Sequence, residues 1–214
     1  MIRILNEQQS VANAFLAELR DVQIQTDKAK FRRNVMKLGE LMAYEISKTL
    51  TYETVKVQTP LGHSSVEMLK DNPVLITVLR AGLPYFQGFT ECFVHADCGF
   101  IGAYREESSD DITINLEYVA TPKVDGRVVL IIDPMLATGQ SFVKAVKSLE
   151  RNGRPSYIHV ASLVAAPEGV KFIKENLDLP HTIWTWALDE KLNDNFYIVP
   201  GLGDAGDLCY GEKF

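Results

Sequence analysis

The chain has 214 residues, a formal net charge of −6 at pH 7, and 46% hydrophobic against 23% charged residues. This is an ordinary globular composition, with length for one domain and a sizeable core, and its acidity argues against a dedicated nucleic-acid binder. Cys92, Cys98 and Cys209 are too few for a disulfide frame and, with four scattered histidines, lack metal-ligand spacing. There is no basic segment leading into a long apolar run and no apolar stretch of membrane-spanning length, so the expected address is the cytoplasm, with no membrane partner.

Glu7 to Arg20 carries Val11, Phe15, Leu16 and Leu19 at helical spacing and predicts a first helix. Lys28 to Leu50 predicts a stronger one, with Phe31, Val35, Leu38, Met42 and Ile46 on one stripe. Tyr52 to Gln58 alternates like an edge strand. Pro73 to Leu79 is an apolar run ending in Arg80-Ala81-Gly82, with a helix expected over Leu83 to Phe93. Cys98 to Ala103 reads as a short strand running into Tyr104-Arg105. The acidic run Glu106 to Asp111 reads as a solvated loop or a flap over a site. Ile112 to Val119 alternates again, and Arg127 to Ile132 is the central strand, followed by a helix over Ser141 to Arg151 that Asn152-Gly153 stops. A strand over Tyr157 to Val164, a helix over Glu168 to Asn176 and a strand over His181 to Leu188 complete the alternation. Apolar strands alternating with helices predict an α/β fold: a mostly parallel, twisted sheet with helices on both faces. The segments 52–58 and 112–119 are expected to form an arm or flap outside it.

The most informative stretch is Val128-Val129-Leu130-Ile131-Ile132, then Asp133, then Pro134-Met135-Leu136-Ala137-Thr138-Gly139-Gln140-Ser141. It reads as a buried strand, an acid at its carboxyl end and a small-residue loop opening a helix. Ligands of open α/β sheets bind at such strand ends, and the N–H groups of a helix N-terminus favour an anion. Thr138 and Ser141 add hydroxyls, and Gly139 allows close backbone approach. A phosphate site beside an acid is the natural reading; the plain alternative, a turn that binds nothing, leaves an acid at a strand tip without a partner, which is costly.

Arg80 and Arg105 both follow strands. Each alone is as readily an exposed arginine as a guanidinium fork for phosphate; together beside a phosphate loop they favour the second. Gly201-Leu202-Gly203-Asp204-Ala205-Gly206 matches a dinucleotide fingerprint in letters only, because too little chain follows for a βαβ unit. It reads instead as a glycine-rich loop after a strand over Phe196 to Val199, and pattern alone does not separate a ligand loop from a tail turn. His63, His95, His159 and His181 read as surface or satisfied core residues, and Trp184 and Trp186 as packing. The phosphate-loop lysine motif of P-loop NTPases does not occur in the sequence.

VVLIIDPMLATGQS (Val128 to Ser141) resembles the phosphoribosyl-diphosphate-binding motif of type I phosphoribosyltransferases, in the one-acid-then-proline form of the uracil enzymes. Tyr197 to Asp207 resembles that family's uracil loop. Val78 to Gly82, Ala103 to Glu106 and the helix around Phe31 to Glu45 resemble its other segments. The resemblance implies the type I fold with a β arm or flap and a C-terminal base-binding hood in a single domain over 1–214. It implies transfer of a 5-phosphoribosyl group from phosphoribosyl diphosphate (PRPP) to N1 of uracil, giving UMP and diphosphate. Implied donor-site residues are Arg80, Arg105, Asp133, Pro134, Met135, Leu136, Ala137, Thr138, Gly139, Gln140, Ser141 and Asp204. Implied base-site residues are Ile198, Gly203, Asp204 and Ala205, with Asp133, Arg105 and Asp204 nearest the chemistry. Mg2+ is implied as a cofactor held mainly through PRPP, GTP as an effector, and a homodimer or larger assembly. Gln140 stands where the family commonly has a second glycine. The competing readings are a phosphoribosyltransferase for another base and a non-catalytic nucleotide sensor on the same fold.

Overall fold

The computed structural model describes residues 1–108 and 111–212, without the side chains of 103–117. The elements run β1 (Ile2–Ile4), α1 (Ala12–Arg20), α2 (Lys28–Ser47), β2 (Tyr52–Thr59), β3 (Gly62–Leu69), β4 (Val74–Leu79), α3 (Gly82–Cys92), β5 (Asp97–Ser108) and β6 (Asp111–Ala120). After them come β7 (Val128–Ile132), β8 (Met135–Leu136), α4 (Gln140–Ser148), β9 (Tyr157–Ala165), α5 (Pro167–Asn176), β10 (His181–Leu188), β11 (Lys191–Leu192), β12 (Ile198–Val199) and α6 (Ala205–Tyr210).

The main sheet has the order β1-β10-β9-β7-β4-β5-β6, with β8 beside β9. Its pairings are parallel except β5 with β6, which is antiparallel. Alternation of side chains along each strand divides the core in two. Leu75 of β4 and Leu130 and Ile132 of β7 face the cluster containing Leu38, Met42, Tyr85 and Phe89 from α2 and α3. Val74 and Ile76 of β4 and Val129 and Ile131 of β7 face the cluster containing Phe142, Val146, Val170 and Ile173 from α4 and α5. Helices thus cover both faces, as the unbroken apolar strands require.

Asp27 caps α2 by accepting from the Ala29 and Lys30 N–H groups, both at 3.0 Å. α2 ends at Ser47, three residues before the expected Leu50, because Thr49 N–H turns back to Ile46 O (2.9 Å) and Leu50 N–H to Ser47 O (3.0 Å). α1 begins at Ala12 rather than Glu7; the chain before it is bent by Gln8 N–H to Leu5 O (3.2 Å). α2 and α3 touch through glycines: a Cβ on Gly88 would lie 2.1 Å from Met36 O, and one on Gly39 would lie 2.3 Å from Tyr85 O.

The two expected flap strands part company. β2 pairs only with β3 in a hairpin outside the main sheet, as expected for 52–58. The segment 112–119 belongs to β6: residues 112–116 pair with 103–107, beyond the last β4 partner Gly102, as the expected arm, whereas 118–120 run along the edge of the main sheet. β3 carries mostly polar, exposed residues and β1 spans three residues, so neither offers a burial pattern to read. No described helix is long and apolar enough to cross a membrane.

Candidate active site

β7 delivers Asp133 to the carboxyl edge of the sheet. Its N–H is held by Ala161 O (3.1 Å), and its Oδ1 accepts from Met135 N–H (3.1 Å). The loop after it is strapped to β9. Pro134 O accepts from Leu163 and Val164 N–H (2.9 and 3.1 Å), and Leu136 O accepts from Ala166 N–H (2.9 Å). Pro134 and Leu136 are buried and shape the loop from behind, whereas Met135, Thr138, Gln140 and Ser141 are half-exposed.

The turn proper runs from Ala137 to Gly139. Gly139 has φ +79°, and a Cβ there would lie 2.7 Å from Gly169 O, while a Cβ on Gly169 would lie 2.2 Å from Ala137 O. Loop and α5 therefore meet backbone on backbone. α4 starts at Gln140, one residue before the expected Ser141, so Gln140 supplies a first-turn N–H; that N–H makes a long contact with Thr138 Oγ1 (3.5 Å). The unpaired first-turn donors of a helix are the groups an anion uses.

β4 lies beside β7, with Thr77 opposite Ile132. Arg80, the residue after β4, therefore reaches the same edge as Asp133. The Leu79–Arg80 peptide is cis. Gly82 opens α3 where a Cβ would lie 2.3 Å from Thr77 Oγ1 and 3.1 Å from Ile132 O, so only glycine lets that helix start so near the strand ends. Arg105 falls within β5, on the other side of β4; its side chain, like those of the 106–111 run expected as a flap, lies outside the described residues.

The C-terminal loop folds over the same edge. Gly201 and Gly203 have φ +60° and +91°, and the loop feeds α6, a short helix that sequence reasoning did not foresee. The loop leads into a six-residue helix and not the long helix of a dinucleotide fingerprint. Asp204 caps α6, its Oδ1 accepting from Asp207 N–H (2.9 Å). Asp207 Oδ1 meets Arg80 Nη2 at 3.2 Å, and Arg32 Nη1 of α2 donates to Cys209 O at 2.6 Å. Burial pushes the Cys209 thiol up to about 12, which keeps it protonated. Gly203 is exposed, and its backbone groups make no hydrogen bond among the described residues. Ile198, whose carbonyl packs against Gly201, and Ala205 are buried.

The structure thus brings Arg80, Asp133, the 137–141 turn and the 203–207 loop to one edge. Sequence reasoning missed the roles of Arg20, Gln25, Arg32, Gly169 and Asp189, which hold these segments; only Arg32 lies in a motif-bearing stretch, Phe31 to Glu45, and each reaches a partner far along the chain. Among the described residues no three His, Cys, Asp or Glu side chains are grouped to hold a metal. A cavity of about 450 Å3, walled by Arg3, Leu50, Tyr157, His159 and Trp184, opens at the amino ends of the strands and is separate from this edge.

The family model for uracil phosphoribosyltransferase matches residues 6–212. The chain belongs to the uracil phosphoribosyltransferase family. A uracil phosphoribosyltransferase of Porphyromonas gingivalis is 45% identical over 210 residues, covering 98% of this chain and 97% of the relative. One from Pyrococcus furiosus is 41% identical over 200 residues, covering 92% and 84%. The solved structure of the AQ2163 protein from Aquifex aeolicus superimposes with a TM-score of 0.87 at 31% identity, covering 99% of this chain and 98% of that one. This uracil phosphoribosyltransferase family member is accordingly a transferase of the pentosyl class, and the type I α/β fold expected from the motifs is the one it has.

Proposed function

We propose that the protein transfers the 5-phosphoribosyl group of PRPP to N1 of uracil, with diphosphate leaving, through the residues gathered at this edge. The observation that carries the reading is the convergence of three separate segments: the Asp133–Ser141 turn, Arg80 at the end of β4, and the α6 hood reaching Arg80 through Asp207. In this division the 5′-phosphate sits on the N–H groups and hydroxyls of Ala137, Thr138, Gly139, Gln140 and Ser141. Asp133 accepts from the ribose hydroxyls. Arg80 and Arg105 take the diphosphate and stabilise charge as the C1′–O bond breaks. C1′ passes through an oxocarbenium-like state, so catalysis rests on holding donor and base in line.

Uracil presents an N3–H donor between two carbonyl acceptors. The unpaired backbone groups of Gly203, with those of Ile198 and Ala205, match that edge. Cytosine places a donor where the site holds a donor, leaving groups unpaired, and such mismatches discriminate strongly. Asp204 belongs to this part of the site, although its Oδ1 is engaged as the α6 cap.

Mg2+ fits this donor set as a diphosphate-borne ion. It would be held through water and diphosphate oxygens, with Asp133 as the strand-end acid beside them. When bound it would neutralise diphosphate charge. Self-association belongs to the same reading. The β2–β3 hairpin carries exposed Val55, Val57, Leu61, Val66 and Met68, apolar area that a second copy can cover.

The test is UMP formation from uracil, PRPP and Mg2+, with and without GTP, by wild type, Asp133→Asn and Asp204→Ala. Turnover by wild type, a fall of about 100-fold or more for Asp133→Asn, and a larger effect of Asp204→Ala on uracil than on PRPP support the reading. Binding of PRPP without any UMP from wild type overturns it in favour of a nucleotide sensor.

A further inference from the structure

Two charged residues outside every sequence motif meet beneath the glycine loop. Arg20 is the last residue of α1, and Asp189 follows β10 directly. Arg20 Nη1 and Nη2 donate to Asp189 Oδ2 and Oδ1 at 2.9 and 2.7 Å, a bidentate fork. The Asp189 side chain is only 5% exposed and that of Arg20 23%. The pair also holds both backbone groups of one residue. Gly201 N–H donates to Asp189 Oδ2 (2.8 Å), and Gly201 O accepts from Arg20 Nη1 (2.9 Å).

The neighbouring contacts show where this hold ends. Gly201 adopts φ +60° with no room for a Cβ, which would lie 2.1 Å from Ile198 O. Turned with its nitrogen toward the carbonyls, the Gln25 carboxamide donates to Leu202 O (2.9 Å) and Leu19 O (3.1 Å). Gly203, the next residue, has no hydrogen bond among the described residues. The loop is fixed up to the residue where its backbone becomes free for a ligand. An ion pair serving stability alone has no need to clasp both peptides that flank Gly201.

We propose that Arg20 and Asp189 are positioning residues for the base: the pair sets the orientation of the two peptides flanking Gly201 and so of the Gly203–Ala205 edge. The inference rests on the assignment of that edge to uracil. A loop ordered before binding spares the base the cost of ordering it. The donor-site turn at 137–141 is strapped to β9 and α5 instead, so loosening Gly201 acts on the base far more than on PRPP.

The test is steady-state kinetics of the full chain with uracil and PRPP varied in turn, for Arg20→Ala, Arg20→Lys, Asp189→Asn and the double Arg20→Ala/Asp189→Ala, with thermal melts alongside. The double variant removes the buried unpaired carboxylate that Arg20→Ala leaves, and Arg20→Lys keeps the charge if the truncations do not fold. Expected is a rise of about tenfold or more in KM for uracil, the scale of losing hydrogen bonds to a charged group. KM for PRPP stays within about twofold, and Arg20→Lys recovers part of the loss because an ammonium lacks the fork. Parallel rises in both KM values, a fall in kcat alone, or an unchanged KM for uracil overturns the positioning role. Asp204→Ala separates the two levels. If it raises KM for uracil while the Arg20 and Asp189 variants do not, only the positioning role fails. If it leaves KM for uracil unchanged, the base-site assignment fails and the positioning role falls with it.

Discussion

Arg80 Nη2 lies 3.2 Å from Asp207 Oδ1, joining the end of β4 to the hood helix across 127 residues of sequence. The guanidinium proposed for diphosphate is therefore paired with an acid in the proposed base hood. A diphosphate bound at Arg80, as proposed, would compete with that carboxylate.

Removing the competitor tightens donor binding. Both side chains are partly exposed (41% and 35%), and such pairs are worth about 0–1 kcal/mol. Asp207→Asn is expected to strengthen PRPP binding by up to about fivefold at low salt, with the gain shrinking at higher ionic strength. Titration calorimetry at two salt concentrations measures this; weaker binding by the variant would show that Asp207 helps hold the donor.

The phosphate turn depends on its glycine. At φ +79°, with Gly169 O 2.7 Å from the position of a Cβ, Gly139→Ala is expected to cost about 1–3 kcal/mol and to weaken PRPP binding more than uracil binding. Urea unfolding and the two KM values test the two parts separately. A variant as stable as wild type with normal PRPP affinity would show that the turn tolerates the methyl.

The α2–α3 contact leaves no space for a side chain. Gly88→Ala places a Cβ 2.1 Å from Met36 O and 2.5 Å from Glu40 N, which forces the helices apart. A loss of about 3 kcal/mol or more is expected, at the upper end of overpacking costs, seen as a lower urea midpoint. Gly62→Ala, which meets nothing within 4 Å in the hairpin turn, is the neutral control.

His159 ties stability to pH. Burial, and after it the charge of Arg3, lowers its pKa from 6.5 to about 4, and its Nδ1 accepts from Trp184 Nε1 at 3.0 Å. The unfolded chain takes up this proton first. The contribution is therefore complete above pH 6.5 and is lost as pH falls toward 4, at up to about 1.4 kcal/mol per pH unit and about 3 kcal/mol in all. His159→Gln keeps an acceptor for the indole but does not titrate. The wild-type minus variant difference in unfolding free energy is expected to slope across that window and to be flat above pH 7; parallel curves would remove His159 as the cause.

The order of strands and helices was legible because each strand of the parallel sheet is apolar on both faces and each covering helix has one apolar stripe. Val128 to Ser141 was legible as a candidate site because strand, acid, turn and helix start are contiguous, so one local segment carries most of the proposed phosphate site. The hairpin strand β3 and the strand β1 were not legible: one is exposed on both faces, the other too short to repeat. The same limit hid α6, whose six residues follow glycines that read as loop.

The sequence by itself determined the α/β alternation, the acid at the end of β7, the glycine turn after it and the family. Only the tertiary structure decided where 112–119 passes from arm to sheet edge, that Arg80 faces Asp207, and that Arg20 and Asp189 clasp Gly201. The division has a physical basis. Backbone periodicity and turn chemistry are short-range and appear in neighbouring residues, whereas an ion pair between residues 169 positions apart exists only once the fold has brought two strand ends and a helix end to the same place.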